Sequence, residues 1–427
     1  MSSSECTSSS LDFFGEQLQQ NEIVDGRFEK IQPTTGLGPN SDTIEFVVNT
    51  TKEIIDLQNC YLQTNIRIVN TDGTALNAGE EVSLINYPGA TFYKQLELFL
   101  GNEHVATVSN YGYRSLVEAL VNYTHAAKQS WMEGALWYGD TPGQHDTLGD
   151  ANLGFKSRKS FAAESNPINL ITKIHCDLFN QEKHLIFGVP LKLRLTRNTN
   201  QFCILAAADK NVKIEILGVD FFVRKLDLAD YKFNEISSNL KNNDAKYYYP
   251  SVKIFSKTES PNKLSTNIQH PFGTTDVPNR ILIAMVSNKA YNGEQTSNPF
   301  KFHHYNLIYA NVTVSGKSIH ASPLEFNIAK KESVDGYWNF NQAMGYTFKD
   351  DGCAINRLDY QNGNFMLGFD LTASQCDGTY RDPVKSGELN IELRFGVALP
   401  ETINVIVYAE FESMLTINNA RRVVTKY

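Results

Sequence analysis

Apolar and polar residues alternate with a period of two along most of the chain after about residue 42. In Leu62-Gln63-Thr64-Asn65-Ile66-Arg67-Ile68 the even positions are mostly apolar and the odd ones polar. The same alternation occurs at Leu96/Leu98/Leu100, at Leu191/Leu193/Leu195 and at Val212/Ile214/Ile216. It returns at Leu389/Ile391/Leu393/Phe395 and at Ile403/Val405/Val407. Successive side chains on a strand point to opposite faces, so each stretch reads as a strand with one buried face. Seven Asp-Gly or Asn-Gly pairs, led by Asp25, Asp72, Asn292, Asp335, Asp351, Asn362 and Asp377, predict hairpins or tight loops. Many short strands with few helices indicate an all-β protein of sandwich type.

Two stretches depart from this pattern. Between Arg114 and Trp137 the residues Leu116, Leu120, Tyr123, Ala127 and Trp131 recur every three or four positions, the stripe of an amphipathic helix lying on a sheet. From Gly139 to Asn169 there is no periodicity, and so long an unpatterned run in a compact domain is more often functional than accidental. There is also an internal echo. Leu191–Leu195 followed by Asn211–Ile216 is similar to Leu389–Leu393 followed by Ile403–Val407, at offsets of 198 and 192 residues. Two sandwiches in tandem fit that spacing, with a boundary in the polar stretch Asn234 to Asp244. The expected division is an arm over 1–40, one sandwich over 41–235 and a second over 245–427.

Length agrees, since 427 residues exceed one ordinary core. The net charge is -8, from 39 basic and 47 acidic residues. Residues 1 to 26 lack Lys and Arg but carry Glu5, Asp12, Glu16, Glu22 and Asp25, and read as a flexible acidic arm that repels phosphate. Arg421, Arg422 and Lys426 form the one terminal basic cluster, too few charges for much DNA affinity. No sequence-specific nucleic-acid binding is expected. The longest apolar run, Phe202 to Ala208, is far shorter than the ~20 residues of a membrane helix, so no membrane span is expected. The opening Met1-Ser2-Ser3-Ser4-Glu5-Cys6 has neither a basic start nor an apolar stretch, so no secretory signal is expected and the sequons at Asn49, Asn122 and Asn311 read as chance. The six cysteines are scattered without a Cys-x-x-Cys pair and read as reduced small hydrophobes.

Candidate chemistry is sparse. Gly316-Lys317-Ser318 is like the end of a phosphate-binding loop, but Asn311 stands where that motif needs a Gly. His303 and His304 are adjacent, so on a strand they point apart and do not chelate one metal. The carboxylate pairs Glu80-Glu81 and Asp350-Asp351 read as solvated loop charges, and no nucleophile elbow or His-Glu-x-x-His helix occurs. Tyr247-Tyr248-Tyr249 before Pro250 is the most exposed-looking aromatic cluster, suited to packing or to an interface. No catalytic residue, cofactor or metal site is assigned, and a structural or interaction role follows by elimination.

The C-terminal stretch carries a resemblance. Arg357-Leu358-Asp359-Tyr360, Gly368-Phe369-Asp370-Leu371-Thr372 and Gly387–Phe395 lead into Ala398-Leu399-Pro400-Glu401-Thr402 and the run Ile403–Phe411. This resembles the end of the major capsid protein of Polinton (Maverick) elements and related adintoviruses. In the first half, Phe92–Leu98 precedes Tyr111-Gly112-Tyr113-Arg114, which is similar to the family's Tyr-Pro-Tyr-Arg segment with Gly112 replacing the Pro. His175-Cys176-Asp177-Leu178-Phe179 resembles the strand region that follows, with Cys176 differing. The likeness runs from about residue 40 to 427 in the same order.

The resemblance implies two tandem eight-stranded jelly-roll β-sandwiches, a double jelly roll with an amphipathic helix and long inserted loops. It implies homotrimers, pseudo-hexameric blocks that self-assemble with neighbouring trimers and a penton (minor capsid) protein into an icosahedral shell around double-stranded DNA. Such a protein is not an enzyme and resides in the virion capsid, made and assembled inside the host cell. The long loops, residues 139–169 and 288–299, are then expected to project from the sandwich ends. A lectin-like β-sandwich that binds glycans is the alternative, and would need exposed aromatics beside a carboxylate cluster on one rim.

Overall fold

The strands follow the alternating segments in chain order. They are β1 (Ile23–Ile31), β2 (Thr43–Val48), β3 (Ile54–Asn70), β4 (Val82–Leu84), β5 (Tyr93–Leu100), β6 (Glu103–Val108), β7 (Ile168–Lys173), β8 (Leu191–Arg197), β9 (Ile204–Ala206) and β10 (Val212–Leu228). The second half holds β11 (Ala245–Glu259), β12 (Ser265–Gln269), β13 (Arg280–Ser287), β14 (Leu307–Val314), β15 (Lys317–Ser318), β16 (Leu324–Glu325), β17 (Met366–Asp370), β18 (Leu389–Phe395), β19 (Ile403–Ile417) and β20 (Val423–Lys426). This computed structural model describes residues 19–36, 42–274, 276–320, 322–373 and 383–426. Most of the acidic arm, Cys6, Cys376 and the Asp377-Gly378 pair lie outside the described residues.

In the first half one sheet has the order β1-β10-β3-β7 and the other β2-β8-β5-β6. In the second half the orders are β11-β19-β13-β17 and β12-β18-β14-β15. Counted from its own first strand, each half repeats the same eight-strand interleaving, with every ladder antiparallel. That interleaving in two packed sheets is a jelly roll, so the chain is a double jelly roll. The internal echo falls on β8 and β10 in one half and on β18 and β19 in the other, which occupy corresponding places. Alternation is the cause: Leu191, Leu193 and Leu195 are buried while Lys192 and Arg194 are not, and β18 repeats the pattern. Buried apolar side chains of both halves form one continuous cluster.

Several local expectations change. The segment 1–40 was expected to be an arm, yet β1 pairs with β10 over nearly its whole length. Most of its residues are exposed and none is buried, so backbone pairing rather than burial holds it. The helix expected over Arg114–Trp137 runs Tyr111–Asn122 and stops, because Tyr123 turns extended and Thr124 caps a new short helix, His125–Lys128. A 3-10 turn, Trp131–Ala135, completes the segment. The unpatterned run 139–169 contains a helix, Leu153–Ala162, whose Asn152 side chain accepts from the Phe155 N–H. The polar boundary stretch is largely a helix, Asp230–Asn239, whose Phe233 and Ile236 pack on Ile54, Phe187 and Leu226.

The turns also differ. Gly26 lies inside β1, Gly336 inside a helix and Gly293 at a helix end, while Asp72-Gly73 makes a tight turn. The two-residue hairpins instead close at Gly101-Asn102, between β5 and β6, and at Ser315-Gly316, between β14 and β15. Ser315 and Gly316 have φ of 48° and 78°, the pair of positive values a type I′ turn requires. Gly316-Lys317-Ser318 is thus a hairpin corner.

Candidate functional site at the seam between the halves

The largest fully buried side chains are Arg114 and Arg158. A buried guanidinium needs partners, since an unpaired charge in a low-dielectric interior is very costly. Arg114 sits on the helix Tyr111–Asn122 with Glu118 one turn on, and its Nε donates to Glu118 Oε1 at 2.7 Å. Its Nη2 donates to Asp177 Oδ1 at 2.5 Å. Asp177 in turn accepts from the Val252 N–H at 3.1 Å and the Ser251 hydroxyl at 3.2 Å, both on β11 of the second jelly roll. The first half thus grips the second through a buried charge.

The cluster continues inward. The other Glu118 oxygen lies 2.7 Å from His175 Nδ1, and His175 Nε2 lies 2.9 Å from the Tyr87 hydroxyl. Burial pushes the His175 ring towards its neutral form, against the pull of Glu118. A neutral ring donating from Nδ1 to Glu118 and accepting from Tyr87 at Nε2 satisfies every atom. Burial alone would raise the Glu118 carboxyl, but Arg114 and His175 outweigh it and hold it down to about 2. Carboxylate, imidazole and hydroxyl in series can relay a proton, yet Tyr87 is fully buried and its hydroxyl meets Thr172 rather than solvent. The series therefore works as a packed polar core.

Arg158 forms a second tie. Its Nη2 donates to Asp140 at 2.6 Å, Nε donates to the Leu84 carbonyl, and Nη1 bonds the Tyr138 carbonyl. Asp140 Oδ2 accepts from Asn298 Nδ2 at 2.9 Å, and Asp146 takes the Asn298 N–H and the Lys301 ammonium at 2.7 Å. The segments 139–169 and 288–299, expected to project, therefore meet each other across the seam, with Asn298 1% exposed. The link is polar: Asp140, held on one oxygen by Arg158, offers the other to Asn298.

Lys128 makes a third tie. Burial lowers its ammonium to about 8, and it donates to the Leu120 carbonyl at 2.7 Å and to the Cys353 carbonyl of the second half at 2.5 Å. Close by, Gly363 has φ of 120°, and a Cβ there would lie 2.1 Å from His145 Cε1. Gly363→Ala combines a strained backbone with an overpacked seam, so a loss of roughly 2–4 kcal/mol is expected. Calorimetric unfolding checks it, and an unchanged Tm would mean that His145 is not packed against this turn.

Residues singled out in the sequence fall elsewhere. Tyr247 and Tyr249 are buried and Tyr248 is exposed; the Tyr247 hydroxyl donates to the His184 carbonyl and accepts from the Ile186 N–H, each at 3.1 Å, so this cluster too packs at the seam. His303 lies against Tyr305, and burial followed by the nearby Lys301 lowers it to about 4. Glu80 and Glu81 pair with Lys210 and Lys159. Cys60, Cys176, Cys203 and Cys353 are buried and unbridged, and burial pushes the first three thiols up to about 12. Among the described residues no three His, Cys, Asp or Glu side chains are grouped to hold a metal ion, and no helix is long and apolar enough to cross a membrane.

The outer surface carries apolar groups at matching places. In the first half Trp131, on the connection between β6 and β7, is exposed, as is Ile171 of the edge strand β7. In the second half the corresponding connection, from β15 to β17, exposes Val334, Trp338, Phe348 and Leu358. The Trp338 and Phe348 rings pack edge-on with centroids 5.8 Å apart. Patches of this kind mark contacts with other chains.

No protein-family profile matches the chain. An uncharacterized protein of Caenorhabditis elegans is 23% identical over 395 residues, which cover 88% of this chain and 91% of that one. Among solved structures, a chain of the Sputnik virophage superposes with a TM-score of 0.65 at 12% identity, covering 100% of this chain and 93% of that chain. A chain of the PBCV-1 virus capsid gives 0.61 at 10% identity over 97% and 99% of the two chains. The mavirus major capsid protein gives 0.54 at 11% identity over 100% and 96%. The chain thus has the double jelly-roll fold that viral major capsid proteins carry.

Proposed function

We propose that the chain is a major capsid protein whose homotrimers form pseudo-hexameric blocks of an icosahedral shell around a double-stranded DNA genome. The observation that carries this reading is the repeated eight-strand order, with two jelly rolls fused by a buried polar seam. One chain supplies two equivalent sandwiches, and three chains supply six, enough to close a ring with near-sixfold outline. A heterologous contact that closes after three copies makes a finite block rather than a fibre. The apolar patches around Trp131 and Trp338 lie at corresponding connections of the two halves, so one half can meet the other half of the next copy. Obligate interfaces of this kind bury some 2,000–5,000 Å².

The finer assignment, to the capsid proteins of Polinton elements and adintoviruses, is supported by the sequence likeness from about residue 40 to 427, which includes Tyr111-Gly112-Tyr113-Arg114 and the final strands. A penton protein as partner, assembly within the host cell and a purely structural role belong to the same reading. Light scattering on the purified protein should give about three times the chain mass of 48.0 kDa. A stable monomer at high concentration would contradict the proposal.

A further inference from the structure

Within the chain the two jelly rolls meet side to edge. The β7 side of the first half, with Lys173 and Asp177, faces the edge strand β11 of the second at Pro250, Ser251 and Val252. The residues that follow run on along β11. Lys183 Nζ donates to the Lys246 carbonyl, and the Tyr247 hydroxyl meets the His184 carbonyl and the Ile186 N–H. β11 is paired only with β19, so the first half covers its other edge.

β1 holds the place in the first half that β11 holds in the second, the outermost strand beside the long strand β10 or β19. It has no such cover. Among the described residues no strand pairs with its outer edge, and none of its nine residues is buried, whereas Tyr247, Tyr249 and Ser251 of β11 are. Val24 is 71% exposed and Phe28 47%. An open strand edge with apolar side chains on it is a template for contact with another chain.

The matching side is that of β17, which holds in the second half the place of β7. The helix Val334–Ala343 packs on β17 through Phe340 and Ala343, which come close to Gly368. Its opposite face presents Val334 and Trp338, one turn apart and both about half exposed. Phe348, whose ring packs on Trp338, is 95% exposed and has φ of 62°, a left-handed value rare for a bulky side chain. A bare aromatic ring held in a strained conformation does nothing for the packing of its own chain, and such outliers mark functional positions.

We infer that β1 of one copy is covered by the β17 side of the second jelly roll of the next copy, with Val334, Trp338 and Phe348 set against Val24 and Phe28. The contact repeats between chains the side-to-edge arrangement that the seam makes within each chain. This surface rests on the capsid reading, because a ring of three chains has three seams within chains and needs three like junctions between them. Aromatic side chains at the centre of such a junction carry most of its binding.

The test places a photoreactive benzophenone amino acid at position 24 of the full-length protein and reads native mass by light scattering on the same sample. On irradiation, cross-links between copies are expected, which mass spectrometry maps to Val334–Ala343 or to residues next to Phe348. Val24→Asp alters an exposed side chain, so it should keep the far-ultraviolet circular dichroism of the folded protein and weaken association roughly tenfold. Trp338→Ala should weaken it by a similar factor. A protein that is monomeric at every concentration overturns this surface and the capsid reading together. An oligomer in which position 24 cross-links only within its own chain, or to the first jelly roll of another copy, overturns the surface alone. So does an oligomer that either substitution leaves undiminished.

Discussion

Arg114→Ala is expected to destabilise the protein by about 3–5 kcal/mol, the usual result of removing one partner from a buried ion pair. The substitution strands two carboxylates. Asp177 is left in the seam with only the Val252 N–H and Ser251 hydroxyl, and Glu118 with only His175. Asp177→Asn keeps the shape and an acceptor oxygen, so it should cost less than the loss of the arginine. Because Asp177 is the link to β11, the variant should also loosen one jelly roll from the other. In denaturant unfolding a single transition should broaden or divide in Arg114→Ala. A loss below about 1 kcal/mol with an unbroken single transition would remove the seam from the account.

Acid should unfold the protein in two windows. His303, held at about 4 against its ordinary 6.5, stays neutral in the fold while the unfolded chain takes up a proton. Stability from this group is therefore full above about 6.5 and is lost as pH falls towards 4, on the order of 3 kcal/mol at most. His145, His175, His304 and His320 are lowered too, each chiefly by burial, and act with the same sign. Glu118 works lower: ionised in the fold to about 2 but protonating near 4.5 when unfolded, it withdraws stability between those values. Tm measured from pH 7.5 to pH 3 should fall steadily below 6.5 and steeply below 4.5. His303→Gln should flatten the upper part of that curve. A Tm that holds level from pH 7 to pH 4 would contradict the buried neutral histidines.

The sequence made some of this legible and hid the rest for physical reasons. Strands with one buried face announce themselves by alternation, so β5, β8, β10, β18 and β19 lie where the pattern puts them. β13 does not, because seven of its eight residues are buried and no alternation is left. β1 is hidden for the opposite reason, being exposed on both faces and held by its ladder to β10. The stripe from Leu116 to Trp131 runs past the true helix end because a stripe does not register a cap, and Thr124 supplies one. Arg114 was visible only through the family resemblance. Its partner Asp177 lies 63 residues away and Asp177's own partners on β11 some 75, distances that no local spacing reports. Arg158, on a helix rich in Lys and Ser, looks like a surface residue until the loops fold over it.

Electron cryomicroscopy of the purified oligomer bears most directly on the whole account. Averaged images should resolve three chains around one axis and six jelly-roll lobes at near-equal spacing, with these blocks tiling any closed shells present. Isolated chains, or rings whose copy number is not a multiple of three, would contradict it.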